Sequence, residues 1–338
     1  MNEERLSQQD PVTMTEPPST LPAAKKAYNR MGLALFVMML TTSLVQVLLG
    51  VLAGLLMNSG WDPSRSVWFS WVATFGPLYG VGIPLALLLM RSVPAQPAEP
   101  VKLGDRFWLY LLMCFPILYA GNILGMLLSS ALTSGQAANP LETFAFSTSP
   151  LKLLFLVVLA PLLEEFIFRK QILDRCAVYG EKLALLFSAL VFALAHGNLF
   201  QFFYAFGLGL LFGYVYLRTK RLRYSVIMHV TVNFIGSALA PFLLSQLDLE
   251  ALLQMNQLTA EQMLAMLPNV AMFLVYVVLL LGLSLAGLIV LLVRWSRATF
   301  LPADQQVPRG TGFQAVYANL WVIVLILFCM GFFVLHLV

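Results

Sequence analysis

Two acidic residues, Glu164 and Glu165, stand side by side in the stretch LAPLLEEFIFRK, with Arg169 one helical turn further on. At the centre of a membrane helix a charged side chain costs about 2.5–3.5 kcal/mol on insertion scales, so a cluster in so apolar a run calls for pairing or for chemistry. Spacing separates the two carboxylates. Glu165 and Arg169 are i and i+4 with the acid on the N-terminal side, which makes them a supporting ion pair. Glu164 points about 100° away around the same helix and is left to face a cavity. Phe192 and His196 in FALAH, and His229 and Asn233 in HVTVN, repeat the i, i+4 spacing further along. The third histidine, His336, lies two residues from the end of the sequence and reads as interfacial. A carboxylate beside an imidazole in a partly dry cavity can take a proton from water. A second imidazole and an amide can donate hydrogen bonds to a developing oxyanion. Together these are the parts of a hydrolase acting on an amide bond. Taken singly, Asn233 reads equally well as glue between helices, and one buried histidine as a satisfied core residue.

The elements that must position these residues are membrane helices. Of the 338 residues, 60% are hydrophobic and 11% charged, with a mean hydropathy of +0.84, against roughly 25% charged in soluble domains. The fold class expected is all-α, a polytopic transmembrane helix bundle. Apolar runs beginning near Met31, Trp68, Phe107, Leu151, Lys182, Leu199, Tyr224, Val270 and Val316 give about nine spans. With the N-terminus inside, eighteen of the 20 Lys and Arg residues fall on inner segments and only Arg65 and Lys152 on outer ones. That split follows the positive-inside rule and predicts an N-in, C-out arrangement. Folding the fourth and fifth spans about Gly180 puts Glu164 and His196 level, each about 24 Å from the turn.

The expected organisation is a disordered tail over 1–30, three N-terminal transmembrane helices over 31–133, and a catalytic core over 150–246. An outer amphipathic segment over 247–268, with Thr259 and Gln262 at capping-box spacing, and two C-terminal transmembrane helices over 269–338 complete it. No cleavable signal is read at the N-terminus, and the first apolar run acts as an uncleaved anchor. The net charge of +4 follows membrane topology and does not imply a nucleic-acid partner. Cys114, Cys176 and Cys329 match no metal or redox spacing and read as inert thiols.

EEFIFR, FALAH and HVTVN have the forms E-E-x-x-x-R, F-x-x-x-H and H-x-x-x-N, in that order and on separate spans. They resemble the three motifs of the CPBP family of intramembrane proteases, which covers type II CAAX prenyl endopeptidases and bacterial Abi proteins. GLGLLFGYVYLRTKRL (207–222) resembles the family's connector between the second and third motifs. The resemblance covers about residues 150–240. It implies that Glu164 and His196 activate the attacking water, that His229 and Asn233 stabilise the oxyanion, and that Glu165, Arg169 and Phe192 support the site. Family members are often labelled metalloproteases. Glu164, His196 and His229 could ligate zinc, but H-E-x-x-H is absent and the same groups suffice without a metal. The implied partners are a peptide or membrane-protein substrate, lipidated ones included, and membrane lipids; the short loops point to a bacterial inner membrane. Two other classes compete: a non-catalytic membrane scaffold or bacteriocin immunity factor, and a proton-coupled transporter. The confinement of polar residues to one cluster and the lack of an inverted repeat argue against the transporter.

Overall fold

A computed structural model describes residues 20–337 except 61, 97, 98, 137, 138, 140–144 and 148. The architecture is all-α, with no strand among the described residues. Helix α1 (Thr20–Asn58), α2 (Trp68–Met90) and α3 (Arg106–Thr133) precede the helix that carries the paired glutamates. That helix, α4, covers 153–176 and alternates between α and π geometry, with π-helical Leu153–Leu159 and Glu165–Gln171 separated by α-helical Ala160–Glu164. A turn at Gly180, with φ of 139°, leads into α5 (Glu181–Ala195). The chain continues through α6 (Leu199–Thr219), α7 (Leu222–Ser245), the short α8 (Leu249–Leu253) and α9 (Ala260–Trp295). It ends with α10 (Gly312–Val316) and α11 (Leu320–Leu335).

Six of these helices, α1, α2, α3, α6, α7 and α9, are long and apolar enough to cross a membrane. Helix α4 is interrupted, and α5 (15 residues) and α11 (16 residues) are shorter. The lipid-facing surface is evident from what the bundle leaves uncovered. Leu44, Val47, Leu48, Val51 and Leu55 of α1 are exposed, and α9 buries only Gly287 along 36 residues. Apolar patches of this extent are tolerated against acyl chains and not against water. The protein is an integral membrane protein.

Two cores position the site. Around α4, residues Tyr28, Met31 and Leu35 of α1, Ile172 and Leu173 of α4, Phe187 and Phe192 of α5, and Tyr216 of α6 pack together. On the other side of α6, Met113 and Cys114 of α3 meet Phe212 and Val215 of α6 and Met228 and Val232 of α7. Gly121 and Gly125 allow α3 to cross α6 closely, since a Cβ at either would overlap the backbone at Tyr204 or at Leu199 and Phe200. At the far end of α4, Asp174 accepts a hydrogen bond from the Tyr216 hydroxyl at 2.9 Å and faces Lys170 and Lys220. This contact ties α4 to the end of α6. All three cysteines are buried and free.

Two expectations need correction. Residues 20–30 are not a disordered tail but the first turns of α1, because Ala24, Ala27, Tyr28 and Met31 recur at helical spacing and are buried in the core. Pro22 sits in the first turn, where its missing N–H costs little. Residues 1–19 lie outside the described residues. The segment 247–268 is also not wholly a separate surface element. Thr259 and Gln262 do form a reciprocal capping box, with Gln262 N–H donating to Thr259 Oγ1 at 3.2 Å and Thr259 N–H to Gln262 Oε1 at 2.9 Å. The helix they open runs unbroken through Pro268 to Trp295, so 260–268 are the beginning of α9. Only 247–258, with α8, stand apart.

Candidate active site

Glu164 and Glu165 sit at the junction between an α-helical and a π-helical segment, so their side chains diverge into different surroundings. Single π turns inside α-helices occur often at functional sites. Glu165 and Arg169 are both fully buried, with Arg169 Nε 3.1 Å from Glu165 Oε2. The approach is an ion pair by distance, but its angles fall short of a hydrogen bond, and Nη1 and Nη2 of Arg169 have no hydrogen-bond partner among the described residues. The guanidinium is held instead by aromatic faces, 4.3 Å from the centre of the Phe192 ring and 5.8 Å from that of Phe212.

The other oxygen of Glu165 lies 3.0 Å from His229 Nδ1. A carboxylate paired with Arg169 only accepts, so Nδ1 carries the proton and the ring of His229 is fixed in orientation. Its Nε2 then faces Glu164, 3.6 Å from Oε2, beyond hydrogen-bond reach. His229 is thus held on one side by a buried carboxylate and presents its other nitrogen to the second, the arrangement by which a buried acid orients a catalytic imidazole elsewhere. Phe212 and Phe192 flank the ring, at 5.3 and 5.8 Å between centres.

His196 stands at the end of α5, and its Nδ1 is 2.8 Å from the Phe192 carbonyl oxygen. That carbonyl can only accept, so Nδ1 is the donor and Nε2 keeps a free lone pair in the neutral ring. Asn198 caps α6 by accepting from Gln201 N–H at 3.0 Å, while its amide donates to the His196 carbonyl and to Gln201 Oε1. The capping pattern N-x-x-Q in HGNLFQ is legible in the sequence.

Asn233 on α7 donates through Nδ2 to the Leu156 carbonyl at 2.9 Å. The local chain explains why that carbonyl is available. In the π register the Ala160 N–H bonds back to Phe155; the next donor in that register, at position 161, would serve Leu156, but Pro161 has no N–H. Asn233 fills the vacancy and keeps one amide hydrogen to spare.

Glu164, Phe192, His196, His229 and Asn233 line one cavity of about 170 Å³, with Gln201, Tyr204 and Ser237 also contributing. Its volume is room for roughly five waters. The equal spacing of Glu164 and His196 from Gly180 agrees with their sharing this cavity. Glu165 and Arg169 lie behind it. Among the described residues no three His, Cys, Asp or Glu side chains form a set that could hold a metal ion. The Nδ1 of each histidine is engaged and its Nε2 is left free.

Comparison with known proteins shows what this segment is similar to. Residues 146–235 match the family model described as type II CAAX prenyl endopeptidase Rce1-like, the family that the three motifs resemble. Among curated proteins, the membrane-embedded CAAX protease MroQ of Staphylococcus aureus (strain USA300) is 39% identical over 92 residues, which are 25% of this chain and 37% of that protein. The protein named as membrane peptidase YdiL in Bacillus subtilis (strain 168) is 26% identical over 158 residues, 44% of this chain and 64% of its own length. The chain thus spans less than two thirds of either relative. No solved structure matches.

Proposed function

We propose that the protein is a membrane-embedded endopeptidase that hydrolyses a peptide bond with water activated at Glu164 and His196. The observation that carries this reading is the convergence of Glu164, His196, His229 and Asn233 on one cavity, with the tautomers of both histidines set by fixed partners. The Glu164 carboxylate accepts a proton from the attacking water, and the lone pair of His196 Nε2 orients that water or shares the proton. The water oxygen bonds to the scissile carbonyl carbon. The resulting oxyanion accepts hydrogen bonds from the spare amide hydrogen of Asn233 and, in the imidazolium form of His229, from its Nε2–H. Collapse of the intermediate breaks the C–N bond, and the proton held at Glu164 passes to the leaving amine. Glu165 and Arg169 do not touch the substrate; they position His229.

The substrate class in this reading is a peptide or membrane protein presented at the bilayer. The family match and MroQ, which is named a CAAX protease, support it. The test compares membranes of cells carrying the native chain, Glu164→Gln or His196→Ala at matched levels by mapping protein N-termini. New termini present only with the native chain support the proposal and identify a substrate. Identical termini in all three, with every version rescuing the same deletion phenotype, would instead support a non-catalytic membrane scaffold.

A further inference from the structure

A second and larger cavity, of about 520 Å³, lies across α6 from the first and shares no lining residue with it. Its walls are Met113 and Ile117 of α3, Leu185 of α5, Leu210 of α6 and Leu291 of α9. The volume falls in the range of pockets that enclose whole apolar ligands. Its rim differs in character. Lys182 at the start of α5, Arg294 at the end of α9 and Arg297 just beyond it stand around the mouth. Among the described residues, none of the three forms an ion pair with a carboxylate. Lys182 Nζ rests 5.3 Å from the centre of the Phe300 ring. The acid next to Lys182 in sequence, Glu181, is taken up by Arg218 and by the Leu301 N–H. The rim also belongs to the end of the bundle where Lys and Arg residues concentrate, which the positive-inside rule places at the cytoplasmic headgroup level.

An apolar chamber between transmembrane helices with three uncompensated cations at its mouth fits an amphiphile with an anionic head. Basic pockets of this kind between membrane helices bind anionic lipid headgroups. We propose that this cavity binds an anionic phospholipid of the surrounding bilayer, with an acyl chain in the apolar chamber and the phosphate against Lys182, Arg294 and Arg297. The site is separate from the Glu164 cavity, and the proposal stands whether or not the protein cleaves peptides.

The test uses the full chain in detergent, with native mass spectrometry after addition of phosphatidylglycerol or phosphatidylcholine of the same acyl composition. The expected result is preferential retention of phosphatidylglycerol, weakened about thirtyfold in Arg294→Gln/Arg297→Gln, where two headgroup-facing cations are removed. Equal retention of the two lipids, or no loss in the double variant, would overturn the proposal. A phosphatidylglycerol with a photoactivatable acyl chain should label the walls of α3, α5, α6 and α9. Labelling confined to other faces would show a surface charge effect only and would overturn the cavity assignment. Displacement of phosphatidylglycerol by stoichiometric laurate would assign the site to a free fatty acid and overturn it as well.

Discussion

Replacing Arg169 with methionine removes the cation that faces Glu165 while keeping most of the stem packed on Phe192. Both charges are fully buried, and stripping one partner from a buried pair costs about 3–5 kcal/mol because the other charge is left uncompensated. His229, 3.0 Å from Glu165 on its other side, can take up part of that charge, which places the expected loss near the lower end, about 3 kcal/mol. Glu165→Gln should cost a similar amount by stranding Arg169, whose terminal nitrogens already lack hydrogen-bond partners among the described residues. The double variant should then lose about 3 kcal/mol, not the roughly 6 that additivity gives, a coupling at the top of the range for residues in contact. Unfolding free energies measured in detergent micelles for the four proteins of this cycle read the effect. A loss below about 1 kcal/mol for Arg169→Met, or strict additivity, would refute the claim that this pair is a mutually dependent support for His229.

Other expectations follow from particular contacts. Asn233→Ala should destabilise by about 1–3 kcal/mol by orphaning the Leu156 carbonyl, and by less than about 1 in a Pro161→Ala background, where position 161 regains an N–H; equal losses in both would disprove the account of that hydrogen bond. Gly125→Ala should cost about 1–3 kcal/mol by pushing α3 away from the start of α6, seen as a lower unfolding free energy. If the protein's own residues activate the water, treatment with a chelator should leave the cleavage rate of a reconstituted substrate within about twofold; its abolition, with recovery on adding zinc, would reassign the chemistry.

The residues proposed for the site were legible because they break an apolar background. Glu164, Glu165, Arg169, His196, His229 and Asn233 stand out in hydrophobic runs, and i, i+4 spacing was enough to separate Glu165–Arg169 from Glu164. The Thr259–Gln262 capping box was legible for the same local reason. What escaped the sequence depended on neighbours distant along the chain. The pairing of His229 with Glu165 crosses 64 residues, and the link from Asn233 to Leu156 crosses 77 and exists only because Pro161 meets a π-helical register there. The true start of α1 was hidden by the prolines before it, although Ala24, Ala27 and Tyr28 already carried the helical period. The contact of Asp174 with Tyr216 likewise crosses 42 residues.

The central claim is that Glu164, not its buried neighbour, does the chemistry. Glu164→Gln keeps the side-chain shape at a position that faces the cavity and makes no hydrogen-bond-length contact with His229, so folding should be unaffected. Cleavage of a reconstituted substrate in proteoliposomes should fall by about 100-fold or more, the share expected of a general base. A Glu164→Gln protein that folds normally and cleaves within a few-fold of the native rate would contradict the account.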